Sequence, residues 1–153
     1  MGFFRRPLLT VALFGLLAIA CRETVESSYP DLASVRLQGA FTRGWLPAYL
    51  PSSATSLLER HNLDSNATLL AFRFDPAEAF IGSAPCVSVA EAEVPAPPRL
   101  GRTKWWPRDL LSAPRGGLRL FRCEDSRSPQ QPGHAWLALD SARGEAFFWR
   151  TSR

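Results

Sequence analysis

The chain has 153 residues and a formal net charge of +4, from eighteen basic and fourteen acidic side chains. So small an excess gives no argument for a nucleic-acid partner, and the length suits one domain with its own core better than two. Three cysteines without a Cys-x-x-Cys pair, and two histidines far apart (His61 and His134), do not match zinc-ligand spacing. No phosphate-binding glycine loop occurs, since Gly116-Gly117 is an isolated turn signal, so neither a metal nor a cofactor is expected.

Arg5 and Arg6 precede an almost unbroken apolar run from Pro7 to Ala20. That run holds about fourteen residues, short of the roughly twenty a membrane-spanning helix needs, and matches the layout of a secretory signal. It ends at Ala18-Ile19-Ala20-Cys21, which resembles the lipobox of bacterial lipoproteins, although Ala18 stands where Leu is usual. The resemblance implies diacylglycerol on the Cys21 sulfur and cleavage before it; an ordinary signal peptide with a chance cysteine is the competing reading. Residues 1–20 are thus read as a signal peptide, 21–30 as a lipidated tether and 31–153 as a single domain. Arg22, where an Asp would commonly retain a lipoprotein in the inner membrane, favours the outer membrane, facing the periplasm. Without the signal the net charge falls to about +2, and Lys104 is the only lysine.

From Asp31 a short helix is predicted, with Asp31 as its cap, Leu32, Val35 and Leu37 on its apolar side and Gly39 at its end. Prolines at 47 and 51 forbid a regular helix through the next stretch, which is read as an extended segment clamped to the core by Trp45, Leu46, Tyr49 and Leu50. Thr55–His61 and Ala67–Phe74 form two candidate strands around the turn-rich Asn62–Asn66; the first also fits a short helix. Asp75-Pro76-Ala77-Glu78 carries a helix-start signature in which Glu78 reaches back to the Asp75 amide. Cys86–Ala90 reads as a strand, Ala92–Pro98 as an exposed Pro-Ala linker and Pro107–Leu111 as a helical turn or two. Leu118–Cys123, Ala135–Asp140 and Glu145–Arg150 alternate and suggest an antiparallel meander, with a polar loop from Glu124 to Gly133. The predicted class is α+β: one small domain with an antiparallel sheet, a C-terminal meander and a few short helices.

Gly44-Trp45-Leu46-Pro47, Pro51 to Ala54, His61 to Asn66 and Phe72 to Phe74 together resemble a family of small, uncharacterised bacterial secreted proteins and lipoproteins. Ser65 departs from that pattern, where Thr is expected. The family carries no established activity, so the resemblance implies no catalytic roles.

The nearest approach to a catalytic cluster is His61 with Asp64 and a hydroxyl from Ser65 or Ser56. A small periplasmic hydrolase using His61 and Asp64 is therefore the alternative to a non-enzymatic envelope domain. Against it, no Gly-x-Ser-x-Gly elbow is present, and Asn, Asp and Ser are the ordinary residues of a hairpin turn. His134 reads as an edge residue, and the carboxylate pairs Glu91/Glu93 and Glu124/Asp125 as solvated. Asn66-Ala67-Thr68 matches a glycosylation acceptor, but a bacterial lipoprotein does not ordinarily meet that machinery. With Cys21 lipidated, Cys86 and Cys123 remain as a pair, read as a disulfide in an oxidising compartment, with two buried free thiols as the alternative.

A basic segment from Arg99 to Arg122 contains Trp105-Trp106, with Asp109 its single acid. Arg99, Arg102, Lys104, Trp105, Trp106 and Arg108 form a candidate binding face for an anionic envelope component. The competing reading is a solvated face with at least one Trp in the core.

Overall fold

The computed structural model describes residues 23–112, 117–125 and 133–151. The signal segment, Cys21, Arg115 and Gly116 lie outside the described residues, as does most of the loop after Asp125. The rest forms one seven-stranded antiparallel sheet in the order β1-β2-β3-β7-β6-β5-β4. The strands are β1 (Thr24–Asp31), β2 (Thr55–Asn62), β3 (Thr68–Arg73), β4 (Cys86–Ser88), β5 (Leu118–Asp125), β6 (Gly133–Asp140) and β7 (Glu145–Arg150). Two meanders, β1-β2-β3 and β4-β5-β6-β7, meet where β3 pairs with β7.

This overturns the α+β expectation. One helix, α1 (Leu32–Leu37), and two short 3₁₀ turns are the only helical elements among the described residues. The physical reason lies in the covers of the sheet. Leu57, Leu70, Phe121, Leu137 and Phe148 form the front core with α1 and the wrapped segment 40–54. Leu69, Leu120, Ala138, Phe147 and Trp149 form the back core under Leu100, Trp106 and Leu110. Runs such as Leu69-Leu70 and Phe147-Phe148-Trp149 serve both faces at once, as strands buried on two sides do. The covering segments carry prolines that block helices, so irregular loops do the work that helices do in an α+β domain.

The polar stretch read as a tether over 21–30 is also corrected. From Thr24 onward it is β1, which pairs with β2 so that Val25, Ser27 and Tyr29 stand opposite His61, Glu59 and Leu57. After it, Asp31 caps α1 by accepting from the Ser34 amide at 2.8 Å, and Gly39 follows at φ 66°. α1 buries Leu32 and Val35, whereas Leu37, expected on the same side, is 90 % exposed. β2 carries a bulge near Ser56, whose φ of 52° accommodates the extra residue.

Asp75 to Glu78 does not start a helix. Glu78 instead clasps the wrapped segment, accepting from the Ser53 amide at 3.0 Å and from the Ser52 amide and hydroxyl at 2.7 and 3.0 Å. Hydrogen bonding from Ser53 and Ser52 holds its carboxyl at about 2. Residues 92–98 are not a free linker: the Pro95 carbonyl accepts from Trp149 Nε1 at 3.3 Å. At the short edge strand, Cys86 and Cys123 face each other across β4–β5 and are joined by a disulfide, with Cα atoms 4.0 Å apart.

Replacing both Cys86 and Cys123 with Ser should lower stability by up to about 4 kcal/mol, measured by urea unfolding, since the bridge closes a 37-residue separation. Gly144, in the β6–β7 turn at φ 62°, leaves no room for a side chain, because a Cβ there would stand 2.5 Å from the Phe74 carbonyl oxygen. Gly144→Ala should therefore cost about 1–3 kcal/mol. Gly82→Ala, where a Cβ meets nothing within 4 Å, should stay within about 0.5 kcal/mol.

Candidate functional site

His61 lies on the front of β2, on the same face as Leu57 and Glu59, because alternate strand residues share a face. Its partner is Glu59: His61 Nδ1 lies 2.7 Å from Glu59 Oε1, and the two side chains are 2 % and 0 % exposed. Trp45 stacks on the imidazole with ring centroids 3.9 Å apart, and the Arg43 guanidinium lies 4.5 Å from the Trp45 ring centroid. From β7, the buried Arg150 donates to the carbonyls of Gly44 and Trp45 at 2.9 and 3.2 Å, fixing that cover over the pair.

Burial raises the Glu59 pKa to about 8, against the opposing pull of Arg150 and Arg43 and with a small reinforcement from Glu26. Burial, followed by the positive charge of Arg43, lowers that of His61. Together the pair holds one proton near neutral pH. Glu59 Oε2 and His61 Nε2 are buried without a hydrogen-bond partner in the protein.

The cluster expected for a hydrolase is not assembled. The exposed Asp64 gives its amide to Asn62 Oδ1, and Ser65 gives that same oxygen its amide and hydroxyl. Ser56 sits in the bulge and lines a cleft on the back face. No hydroxyl among the described residues hydrogen-bonds to His61, and Trp45 covers its ring. Glu93 caps its own 3₁₀ turn by accepting from the Ala90 amide, and Glu91 and Glu124 are exposed. Among the described residues no group of three His, Cys, Asp or Glu side chains could hold a metal. Glu59 was missed in the sequence, although an acid two residues before a histidine on the apolar parity of a strand was a readable sign.

The back face carries the second candidate, a cleft of about 570 Å³. Leu58, Ala71 and Phe147 from the sheet form part of its lining, with Trp105, Trp106 and Pro107 from the covering loop. Trp106 is buried, edge-on to Phe147 and Trp149 at 5.7 and 6.3 Å. Trp105 donates from Nε1 to Glu26 at 3.2 Å, and Arg60 bridges Glu26 at 3.1 Å and the Arg102 carbonyl at 2.9 Å, clamping the loop onto β1 and β2. Arg73 and Glu145 pair at 3.5 Å, and the exposed Lys104 also lines the cleft. Of the predicted binding face, Lys104, Trp105 and Trp106 line the cleft, whereas Arg99, Arg102 and Arg108 are exposed but not part of it.

The front pair and its cover lie wholly within β1 to β3 and the segment between them, apart from Arg150. Residues 23–73 match the family model for the YbbD head domain. The match spans one third of the chain and supports a resemblance to a small bacterial family at that level. The match ends on the last residue of β3, so the matched segment contains Trp45, Glu59 and His61 but none of the cleft-lining loop. No curated protein and no solved structure matches the chain.

The pair sets a pH window for stability. Because the Glu59 pKa is raised, its contribution is full below about 4.5 and is lost as pH rises through about 8. Because that of His61 is lowered, its contribution is present above about 6.5 and is lost as pH falls. Below about 6.5 the two contributions change with pH in opposite directions and offset each other. Above 6.5 only the folded pair keeps its proton, and stability should fall by about 2 kcal/mol by pH 8. Glu59→Gln should flatten that alkaline limb in urea titrations taken across the pH range.

Proposed function

We propose that this chain is a lipid-anchored, non-enzymatic domain of the bacterial cell envelope that binds an anionic amphiphile in the back-face cleft. Three features support the envelope assignment: the basic start, the short apolar run and the small residues before Cys21. The similarity of residues 23–73 to the YbbD head domain agrees with it, and Arg22 favours the outer membrane.

The observation that carries the binding reading is the composition of the cleft. Aromatic and aliphatic side chains supply an apolar lining, and Lys104 brings a cation with no acidic partner among the described residues. Arg73, by contrast, is engaged by Glu145. An apolar body lying along Trp105 and Phe147, with a carboxylate or phosphate reaching Lys104, satisfies both halves of the cleft. A hydrolytic role has no such support, because His61 is covered and faces no nucleophile among the described residues.

Calorimetric titration of the mature protein with decanoate and with decanol separates the two contributions. Lys104→Ala should weaken decanoate binding about tenfold, equivalent to about 1.4 kcal/mol, and leave decanol unchanged. Added salt should weaken decanoate binding alone. Equal affinity for acid and alcohol, unaltered by K104A, would overturn the reading.

A further inference from the structure

We infer that the domain stands end-on against the lipid bilayer, with the β2–β3 hairpin tip and Leu63 at the headgroup layer. The inference rests on the lipid anchor proposed at Cys21 and adds the surface through which the folded domain meets the membrane.

The first observation is the length of chain between anchor and fold. Only Arg22 and Glu23 separate Cys21 from the first residue of β1. The chain is already fixed at Glu23, whose carbonyl accepts from the Leu63 amide at 2.6 Å. Two peptide steps span at most about 7 Å, so a lipidated Cys21 holds this end of the sheet close to the headgroups. A free tether of ten residues would impose no orientation; a strand beginning at Thr24 does.

The second observation is what that end presents. Leu63 sits at the tip of the hairpin and is 51 % exposed. A leucine between Asn62 and Asp64 contributes nothing to the Asx turn, whose hydrogen bonds converge on Asn62 Oδ1. The same end carries the Arg43–Trp45 layer. Thr68, the first residue of β3, pairs with Arg150, the last of β7, and Arg150 holds the carbonyls of Gly44 and Trp45. An exposed Leu, a half-buried Trp and an exposed Arg match a bilayer interface, where the apolar side chain enters the acyl boundary and the guanidinium meets phosphate.

Glu23 and Asp64 are also exposed at this end and oppose docking driven by charge alone. Anchor and apolar contact therefore set the orientation, and salt should not disturb it. The opposite end, with the β6–β7 turn at Ser141–Gly144, then stands about 25 Å farther out, the length of an eight-residue strand. The exposed basic residues Arg99, Arg102 and Arg108 lie on the back-face covering loop, with the Arg102 carbonyl against Arg60 of β2, so a membrane held by charge would select the back face instead.

The test uses the full chain, exported and processed in a bacterial host, then reconstituted in phosphatidylethanolamine–phosphatidylglycerol vesicles. Single labels at Leu63→Cys, Ala142→Cys and Arg108→Cys report proximity to a headgroup-attached quencher, and intact mass reports the lipid on Cys21. Quenching severalfold stronger at position 63 than at 142 or 108, unchanged in high salt, is the expected result. A lipidated, vesicle-bound protein with equal quenching at all three positions, or strongest quenching at 108, would overturn the end-on orientation and leave the anchor intact. A protein that lacks the lipid and does not float with vesicles would overturn the anchor and this inference together.

Discussion

The antiparallel pairing of β3 with β7 joins two meanders into one sheet, and the need to bury both faces of that sheet shapes everything around it. Leu70 stands opposite Phe148 on the front and Leu69 opposite Trp149 on the back, and all four are buried. A one-residue slip would exchange the two faces and place Arg73 and Glu145 against core side chains. Burial on both sides also demands two covers. Apart from α1, prolines keep the covering segments out of helices, so each loop is held by a few side-chain bonds: Arg150 to Gly44 and Trp45, Glu78 to Ser52 and Ser53, Trp149 to Pro95, and Glu26 to Trp105.

Within the front core, a Glu–His pair is costly. Desolvating either charged form is unfavourable, and the pair responds by holding a single proton between its two side chains. The same cluster makes Trp45 a cover for polar atoms as well as apolar ones, with Arg43 stacked outside it. Because Glu59, His61 and Trp45 all belong to the segment resembling the YbbD head domain, this buried pair is a feature of the first meander. The second meander contributes Arg150, so the pair is complete only when the two meanders have joined.

The two sides of the sheet thus differ in chemistry. The front closes over its polar groups, whereas the back keeps a cleft beside Trp105, where the loop is clamped to β1 and β2 and the largely buried Phe147 forms part of the cleft wall. The Glu26–Arg60 ion pair on the back of β1 and β2 sets where that loop stops. The cleft depends on both meanders, since Leu58 and Ala71 come from the first and Phe147 and Glu145 from the second.

Local patterns were legible in the sequence wherever local chemistry decides structure. Asp31 and Gly39 mark α1, Asn62 to Asn66 mark a hairpin, and the alternation in residues 118–150 marks three strands, because caps, turns and strand parity need only neighbouring residues. The polar residues of β1 carry no comparable sign; they become a strand only through pairing with β2. Glu78 has a helix-start signature and is drawn off by serines twenty-five and twenty-six residues away. Glu59 and Asp64 are both near His61 in sequence, yet strand parity places Glu59 beside the ring, while the turn spends Asp64 on Asn62. The fold class, the partner of His61 and the cleft were decided by tertiary structure, because each depends on which distant strand or loop covers a face, and alternation along one segment records only that a face is covered.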